Sequence, residues 1–324
     1  MANYHMGIDT SAYTTSIAIV DEFHNVIFDE RILLKVKEGN RGLRQQEAVF
    51  QHINNLPEII NSLSNIIDMS SIKTVSASVR PRNLEDSYMP VFKVAQGQAF
   101  LISKILKAEY KEFSHQDGHI ASGVLGSHLS SKGSFLACHM SGGTTEMLLV
   151  KDNTKNYDIK HIGGTKDISA GQLIDRIGVK LGFKFPCGKE MDIFSQKGIV
   201  VNKRLPVNTE RTWINFSGAE TFFYNLVEEK IYSKEDISKS VFRCIANALA
   251  NVVIEVTKVY DINDVLIVGG VAANTLIRNI ITEKANESKP VNIYFPVADY
   301  CTDNAIGIAL LGATKSGEKS LGGL

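Results

Sequence analysis

Residues 139–150 read HMSGGTTEMLLV, and the fold turns on how this stretch is taken. Residues 134–140 before the glycines and 146–150 after them are alternating or apolar, so two strands meet at a tight turn, Ser141-Gly142-Gly143-Thr144-Thr145. Adjacent glycines permit positive φ and let a ligand come close to the backbone. A turn of this kind serves as an ordinary β-hairpin connection. It can also aim backbone N–H groups and two or three hydroxyls at one anion. The stretch alone leaves both readings open.

The same theme opens the chain. Residues 6–20, MGIDTSAYTTSIAIV, run strand, turn, strand around Asp9-Thr10-Ser11. Residues 25–30 and 32–36 continue as strands, and 157–162 adds another after the second hairpin. The repetition suggests a duplicated pair of lobes, each offering a hairpin to a shared cleft. Between and after the hairpins, apolar residues at helical spacing predict helices over 41–66, 89–106, 169–181, 233–259, 275–285 and 303–314. Short buried strands are expected at 72–79, 265–268 and 291–295. The tail from Ser316 is expected to fray. This is a mixed α/β arrangement.

The bulk numbers narrow the function classes. The chain has 324 residues, enough for two domains, and 44% are hydrophobic and 22% charged. Lys+Arg and Asp+Glu are both 35, which is not the balance of a protein that grips nucleic acid alone. A nucleic-acid substrate would need a local basic patch or a partner. Cys138, Cys187, Cys244 and Cys301 are scattered without CxxC spacing, which predicts a reduced, cytoplasmic protein. The opening MANYHMGIDT carries no basic-then-apolar signal segment, and no apolar run is expected to approach membrane-spanning length.

Two further stretches carry chemistry. His115-Gln116-Asp117-Gly118-His119 sets two imidazoles at i and i+4, one face of a helix, which suits two metal ligands or a plain pair of histidines. The zinc-protease motif fails here, because its Glu general base is replaced by Gln116. Asp303, in Cys301-Thr302-Asp303-Asn304, is the best third ligand; it could equally cap a helix. Val265 to Asn274 reads as a buried strand running through Gly269-Gly270 into a helix, a connection that suits a nucleotide contact.

Taken in order, GIDTS, His-x-x-x-His, SGGTTEMLL, SAGQLIDRIGVKLGFKFPCG, NFSG, GGVAANTLIR and CTDN resemble the tRNA threonylcarbamoyladenosine transferases of the TsaD type, also labelled O-sialoglycoprotein endopeptidases. The resemblance spans nearly the whole chain. It implies an actin, heat-shock chaperone and sugar kinase (ASKHA) fold, two RNase H-like lobes around a nucleotide cleft. The first lobe would take residues 1–133, completed by the C-terminal helix of 303–324, and the second residues 134–302. It implies one divalent metal (iron, zinc or magnesium) on His115, His119 and Asp303. It implies an adenine nucleotide or threonylcarbamoyl-AMP, with Ser141, Gly142 and Gly143 at the phosphates, Asp175 on the ribose, and Gly188 and Asn274 as further contacts. The activity implied is transfer of the threonylcarbamoyl group to an adenosine of tRNA. The tRNA would be met through a complex, with family-type partner subunits or a homodimer, and with no membrane.

The chain also departs from the family pattern. Ala12-Tyr13-Thr14 stands where Cys-Asp-Glu or Cys-Asp-Asp is usual, so an acidic pair is missing. Residues 78–84, SVRPRNL, replace an Ala-Gly-Pro-Gly-Leu loop and bring in Arg80 and Arg82. Thr144 replaces a His, and Glu220 a Lys. These changes point to a divergent member: either a weakened transferase, its catalytic groups unassigned, or a paralogue that binds metal and nucleotide as a regulatory subunit.

Overall fold

The computed structural model describes residues 3–37, 42–84, 86–129, 133–152, 157–288 and 290–314. The expected frayed tail lies outside the described residues. The first sheet holds β1 (Tyr4–Thr10), β2 (Thr14–Asp21), β3 (Val26–Leu33), β4 (Ile72–Arg80) and β5 (Glu109–Ser114) in the order β3-β2-β1-β4-β5. β1 to β3 are antiparallel, and β4 and β5 run parallel to β1. The second sheet holds β6 (Ser134–Met140), β7 (Thr145–Asp152), β8 (Tyr157–Thr165), β9 (Thr209–Glu210), β10 (Trp213–Ile214), β11 (Asp264–Val268) and β12 (Asn292–Tyr294). Its order is β12-β11-β6-β7-β8-β10-β9. Taken from β8 inward, β8-β7-β6-β11-β12 repeats the first sheet strand for strand, including the switch from antiparallel to parallel pairing. The hairpin repetition in the sequence is thus a repetition of topology.

The residues explain the elements. Parallel strands covered on both faces read as continuous apolar runs; in β11, Val265 to Val268 are fully buried. β5, EYKEFS, alternates charge and pairs only with β4, and it escaped the sequence reading because only Phe113 and Ser114 are buried. Two strands were expected over 25–36, but β3 is one.

Helices α1 (Gln45–Ser64) and α2 (Phe92–Leu106) cover one face of the first sheet. α1 buries Ala48, His52, Leu56, Ile59 and Leu63, a stripe at helical spacing. α3 (His115–Ser127) follows β5. α4 (Ala170–Lys180), α5 (Gly188–Ser195), α6 (Ser217–Glu229), α7 (Lys234–Tyr260) and α8 (Thr275–Ser288) belong to the second sheet's core. α7 corrects one expectation: it is long and apolar enough to cross a membrane. It is instead the spine of this core, with Val241, Leu249, Val253 and Val256 fully buried. Ser233 caps it, its hydroxyl accepting from Asp236 N–H at 3.1 Å.

The last elements, α9 (Ala298–Cys301) and α10 (Ile306–Ala313), bring the chain back. α10 packs on β1, β2, β4 and α3. It is buried at every residue, as its sequence IGIALLGA requires. Contact with α3 is backbone to backbone: a Cβ on Gly307 would strike the Gly118 carbonyl. α3 lies between the sheets, where Ile120 and Ala121 share a core with Leu148, Leu266 and Ile308. That crossing delivers Asp303, just before α10, to the histidines at the start of α3.

Candidate active site

The two hairpins face one cavity of about 540 Å³, lined by Ser11 to Thr14 on one side and Ser141 to Thr144 on the other. They close alike. Ser11 N donates to Thr14 O at 3.1 Å, and Ser141 N to Thr144 O at 2.8 Å. The second turn departs from expectation in two ways. Neither Gly142 nor Gly143 adopts a positive φ; where a side chain would stand there is open space. Its hydroxyls mostly hold the turn itself. Ser141 Oγ accepts from Thr144 N at 3.1 Å, and Thr145 Oγ1 accepts from Ala170 N at 2.9 Å. The start of α4 is fastened to the turn. Ser169 Oγ donates to the Gly142 carbonyl at 2.9 Å, and Ser169 and Gln172 form a capping box. What the turn offers a ligand is bare glycine backbone, with Ser141 and Thr144 beside it on the cavity wall.

The structure brings His115, His119 and Asp303 together. His119 Nε2 lies 3.0 Å from His115 Nε2 and 3.1 Å from Asp303 Oδ1. His115 Nε2 is 3.6 Å from the same oxygen. Ligands held at about 2.1 Å from one ion at octahedral or tetrahedral angles sit about 3.0–3.4 Å apart; two of the three separations fall in that range and the third opens slightly beyond it, so the trio is close to a one-cation arrangement. Two imidazole nitrogens at 3.0 Å cannot both present lone pairs unless a proton or a cation lies between them. The alternative role of Asp303 as a helix cap is not seen: Ala305 is the N-cap, and Asn304 Oδ1 accepts from Ile306 N at 3.0 Å just before the helix. The expected helix start at 303 moves to Ile306 accordingly.

Neighbouring groups orient this trio. Asp9 Oδ1 accepts from His115 Nδ1 at 2.8 Å and from the Ser78 hydroxyl. Asp303 Oδ2 accepts from Ser11 Oγ at 2.6 Å. The carboxylate on the far nitrogen fixes the ring so that Nε2 faces the cluster. Burial works against a charged His115, but the Asp9 and Asp303 carboxylates outweigh it and hold its pKa up at about 10. Burial would raise Asp303, yet hydrogen bonds from His115 and His119 hold it well below the usual carboxylate range.

Several cavity residues were missed, and one of them is a histidine. His139, two residues before Ser141, lines the cavity, with its ring centroid 4.5 Å from that of His119. Burial, then the charges of His119 and His115, push its pKa well down. The signal available was strand alternation, which puts residue 139 on the face of β6 that continues toward position 141 of the turn.

The other expected site residues divide. Asp175 lines the cavity, where Oδ1 accepts from Cys187 N at 2.8 Å. Burial pushes its pKa up to about 6, against the pull of that bond. Gly188 and Asn274 do not line the cavity. Gly188 starts α5 directly after Cys187. The Asn274 amide is already engaged, Nδ2 donating to Asp192 at 2.7 Å and Oδ1 accepting from Ile277 N at 2.9 Å. The sequence motif there marks a helix cap, while Gly270 supplies the cavity wall.

The departing residues also have places. Tyr13 stands in the cleft against Phe185, ring centroids 5.5 Å apart. Arg82 reaches Glu146 at 2.6 Å, and Gln116 Nε2 donates to the same carboxylate at 2.8 Å, all three lining the cavity. Arg80 turns away to Asn83 Oδ1 at 2.9 Å. Glu220 pairs with Arg176 at 2.9 Å, off the cavity wall.

The family model described as TsaD: tRNA N6-adenosine threonylcarbamoyltransferase matches residues 37–310. A protein of that name from Kosmotoga olearia is 31% identical, over 96% of this chain and 93% of its own length. One from a Sulfurihydrogenibium species is 30% identical, over 98% and 91%. Among solved structures, the activator of 2-hydroxyisocaproyl-CoA dehydratase from Clostridium difficile, with bound ADPNP, aligns with TM-score 0.55 at 17% identity over 96% of this chain and 94% of its own. A ROK family glucokinase from Streptomyces griseus, with glucose and AMPPNP, aligns with TM-score 0.56 at 9% identity over 97% and 100%. These likenesses show the ASKHA fold.

Proposed function

This chain belongs to the tRNA N6-adenosine threonylcarbamoyltransferase family, and from that membership we propose that it moves a threonylcarbamoyl group from threonylcarbamoyl-AMP to the N6 amine of an adenosine in tRNA. In that step the amine nitrogen bonds to the carbamoyl carbon, the bond to the AMP phosphate oxygen breaks, AMP leaves with the electron pair, and the amine gives up a proton. The observation that carries the reading is the convergence of both hairpins, the His115–His119–Asp303 trio and Asp175 on one cavity.

The chain's own residues divide the work. The adenylate phosphate lies against the bare backbone of Gly142 and Gly143, beside Ser141. Asp175 accepts from a ribose hydroxyl, with Cys187 N–H fixing the carboxylate. Gly188 and Asn274 support that wall from behind. His115, His119 and Asp303 would hold a divalent ion, which would supply Lewis-acid chemistry to the transfer. Two imidazoles and one carboxylate favour iron or zinc over magnesium. Two solved structures of this fold hold ADPNP or AMPPNP, which supports an adenine nucleotide here. With a net charge of zero, the tRNA would be held through partner subunits or a homodimer.

One observation favours a second reading. Tyr13 occupies the cleft, packed on Phe185, in the stretch where the family pattern carries its acidic pair. A chain that binds metal and nucleotide and regulates a transferring sister subunit would look the same. The test is labelled threonine incorporated into unmodified tRNA with threonylcarbamoyl-AMP supplied. Incorporation supports the transferase. Tight binding of an adenine nucleotide with no incorporation supports the regulatory subunit.

A further inference from the structure

The cleft holds one cationic side chain that the transfer chemistry leaves unused. Among the described residues lining the cavity, Arg82 is the one lysine or arginine. It sits in the loop after β4, where the family pattern is Ala-Gly-Pro-Gly-Leu. Its main chain is anchored, Arg82 N donating to Ser87 Oγ at 3.0 Å. Its guanidinium crosses to the second lobe, where Nη2 meets Glu146 Oε1 at 2.6 Å, yet the side chain is still 41% exposed. A guanidinium carries five N–H donors in a planar fork, so this contact fixes the fork and leaves donors for a ligand. Asp175 and Asp303 also line the cavity. An anionic group placed away from the glycine turn would meet repulsion from them, except beside Arg82.

The first lobe's wall otherwise turns apolar. Leu43, Met89 and Phe92 belong to one cluster and all face the cavity. The Phe92 ring lies 5.5 Å from that of His115. Gln45 stands on the same wall, and its buried Oε1 has no hydrogen-bond partner among the described residues. A buried acceptor left unmatched by the protein calls for a donor on a ligand.

We propose that Arg82 selects the group to be transferred by binding a free carboxylate on it. This selection rests on the transfer reading above. The amino acid on the carbamoyl nitrogen of threonylcarbamoyl-AMP carries a carboxylate, a hydroxyl and a methyl. The adenylate phosphate has the glycine turn, so the carboxylate needs a separate cation, and the cavity wall supplies Arg82. Gln45 Oε1 accepts from the hydroxyl, and Leu43, Met89 and Phe92 cover the methyl. A guanidinium in place of the usual glycines makes the device a property of this chain.

The probes are two stable adenosine esters in which CH₂ replaces the oxygen between the carbamoyl carbon and phosphorus. One carries threonine, and the other carries 1-aminopropan-2-ol, which is threonine without its carboxylate. Calorimetry on the metal-loaded full-length chain gives both Kd values. The wild type is expected to bind the threonine ester at least about tenfold more tightly. Arg82→Gln, which keeps a donor for Glu146 but no charge, is expected to abolish that preference. Arg82→Lys, which keeps the charge without the fork, is expected to retain part of it. The ratio is read within each protein, so a general loss of affinity in a variant cancels. Equal Kd values in the wild type, or a preference that survives in Arg82→Gln, would overturn the role of Arg82 and leave the nucleotide reading standing. Binding of neither ester by the wild type would overturn that reading as well.

Discussion

Asp175→Asn is the sharpest perturbation the cleft offers. The carboxylate is partly buried, and its pKa stands at about 6 against an ordinary value of 3.8. The folded state therefore holds the proton more tightly than the unfolded chain. Stability tied to that proton is fully present below the unfolded pKa and is lost as pH rises through about 6. Above that, the ionised Asp175 destabilises the fold by at most about 3 kcal/mol, from 1.36 kcal/mol per pKa unit. Asparagine keeps a carbonyl for the Cys187 N–H and carries no charge. The variant should be more stable than wild type at pH 8, by up to about 3 kcal/mol, and the gain should vanish near pH 4. Urea midpoints at the two pH values are the assay. The same variant should bind adenine nucleotide more weakly, since the amide is a poorer acceptor for a ribose hydroxyl than a carboxylate. A gain in stability with a loss of binding marks a residue held for its function. Equal stability of variant and wild type at pH 8 would refute the reasoning.

Other outcomes follow from the same geometry. His119→Ala should lower bound metal by elemental analysis; metal content equal to wild type would remove His119 from the ligands. Arg82→Ala leaves the buried Glu146 carboxylate with Gln116 as its remaining direct hydrogen-bond partner, and should cost about 1–3 kcal/mol in urea unfolding. A change under about 0.5 kcal/mol, the size expected of an ordinary surface substitution, would show that Arg82 does not hold it. Tyr13→Asp combined with Thr14→Glu should raise a reduced transfer rate, by about 10²-fold if general acid–base help is restored; an unchanged rate would show that the acidic pair is dispensable here.

Much of the site was legible because its signals are local. The i,i+4 histidines needed only the helix that Ser114 caps together with Asp117. Asp303 was reachable from its strand-to-helix position, although its helix starts three residues later. Ser169 announced α4 by its capping box with Gln172. What escaped depends on tertiary placement. β5 has no apolar run, because a strand with one neighbour buries little. Ser141 and Thr145 read as ligand hydroxyls, and each also accepts a backbone N–H that fastens the turn or α4. Asn274 read as a nucleotide contact, yet it caps α8. His139 gave no motif, since its meaning lies in the ring beside it.

The central claim is that this cleft transfers a threonylcarbamoyl group to tRNA with the ion site engaged. Nucleoside mass spectrometry of unmodified tRNA, after incubation with metal-loaded protein and threonylcarbamoyl-AMP, tests it most directly. The account predicts threonylcarbamoyladenosine with the wild type and much less with Asp303→Ala. No modified nucleoside from the wild type, with or without partner subunits, would contradict it.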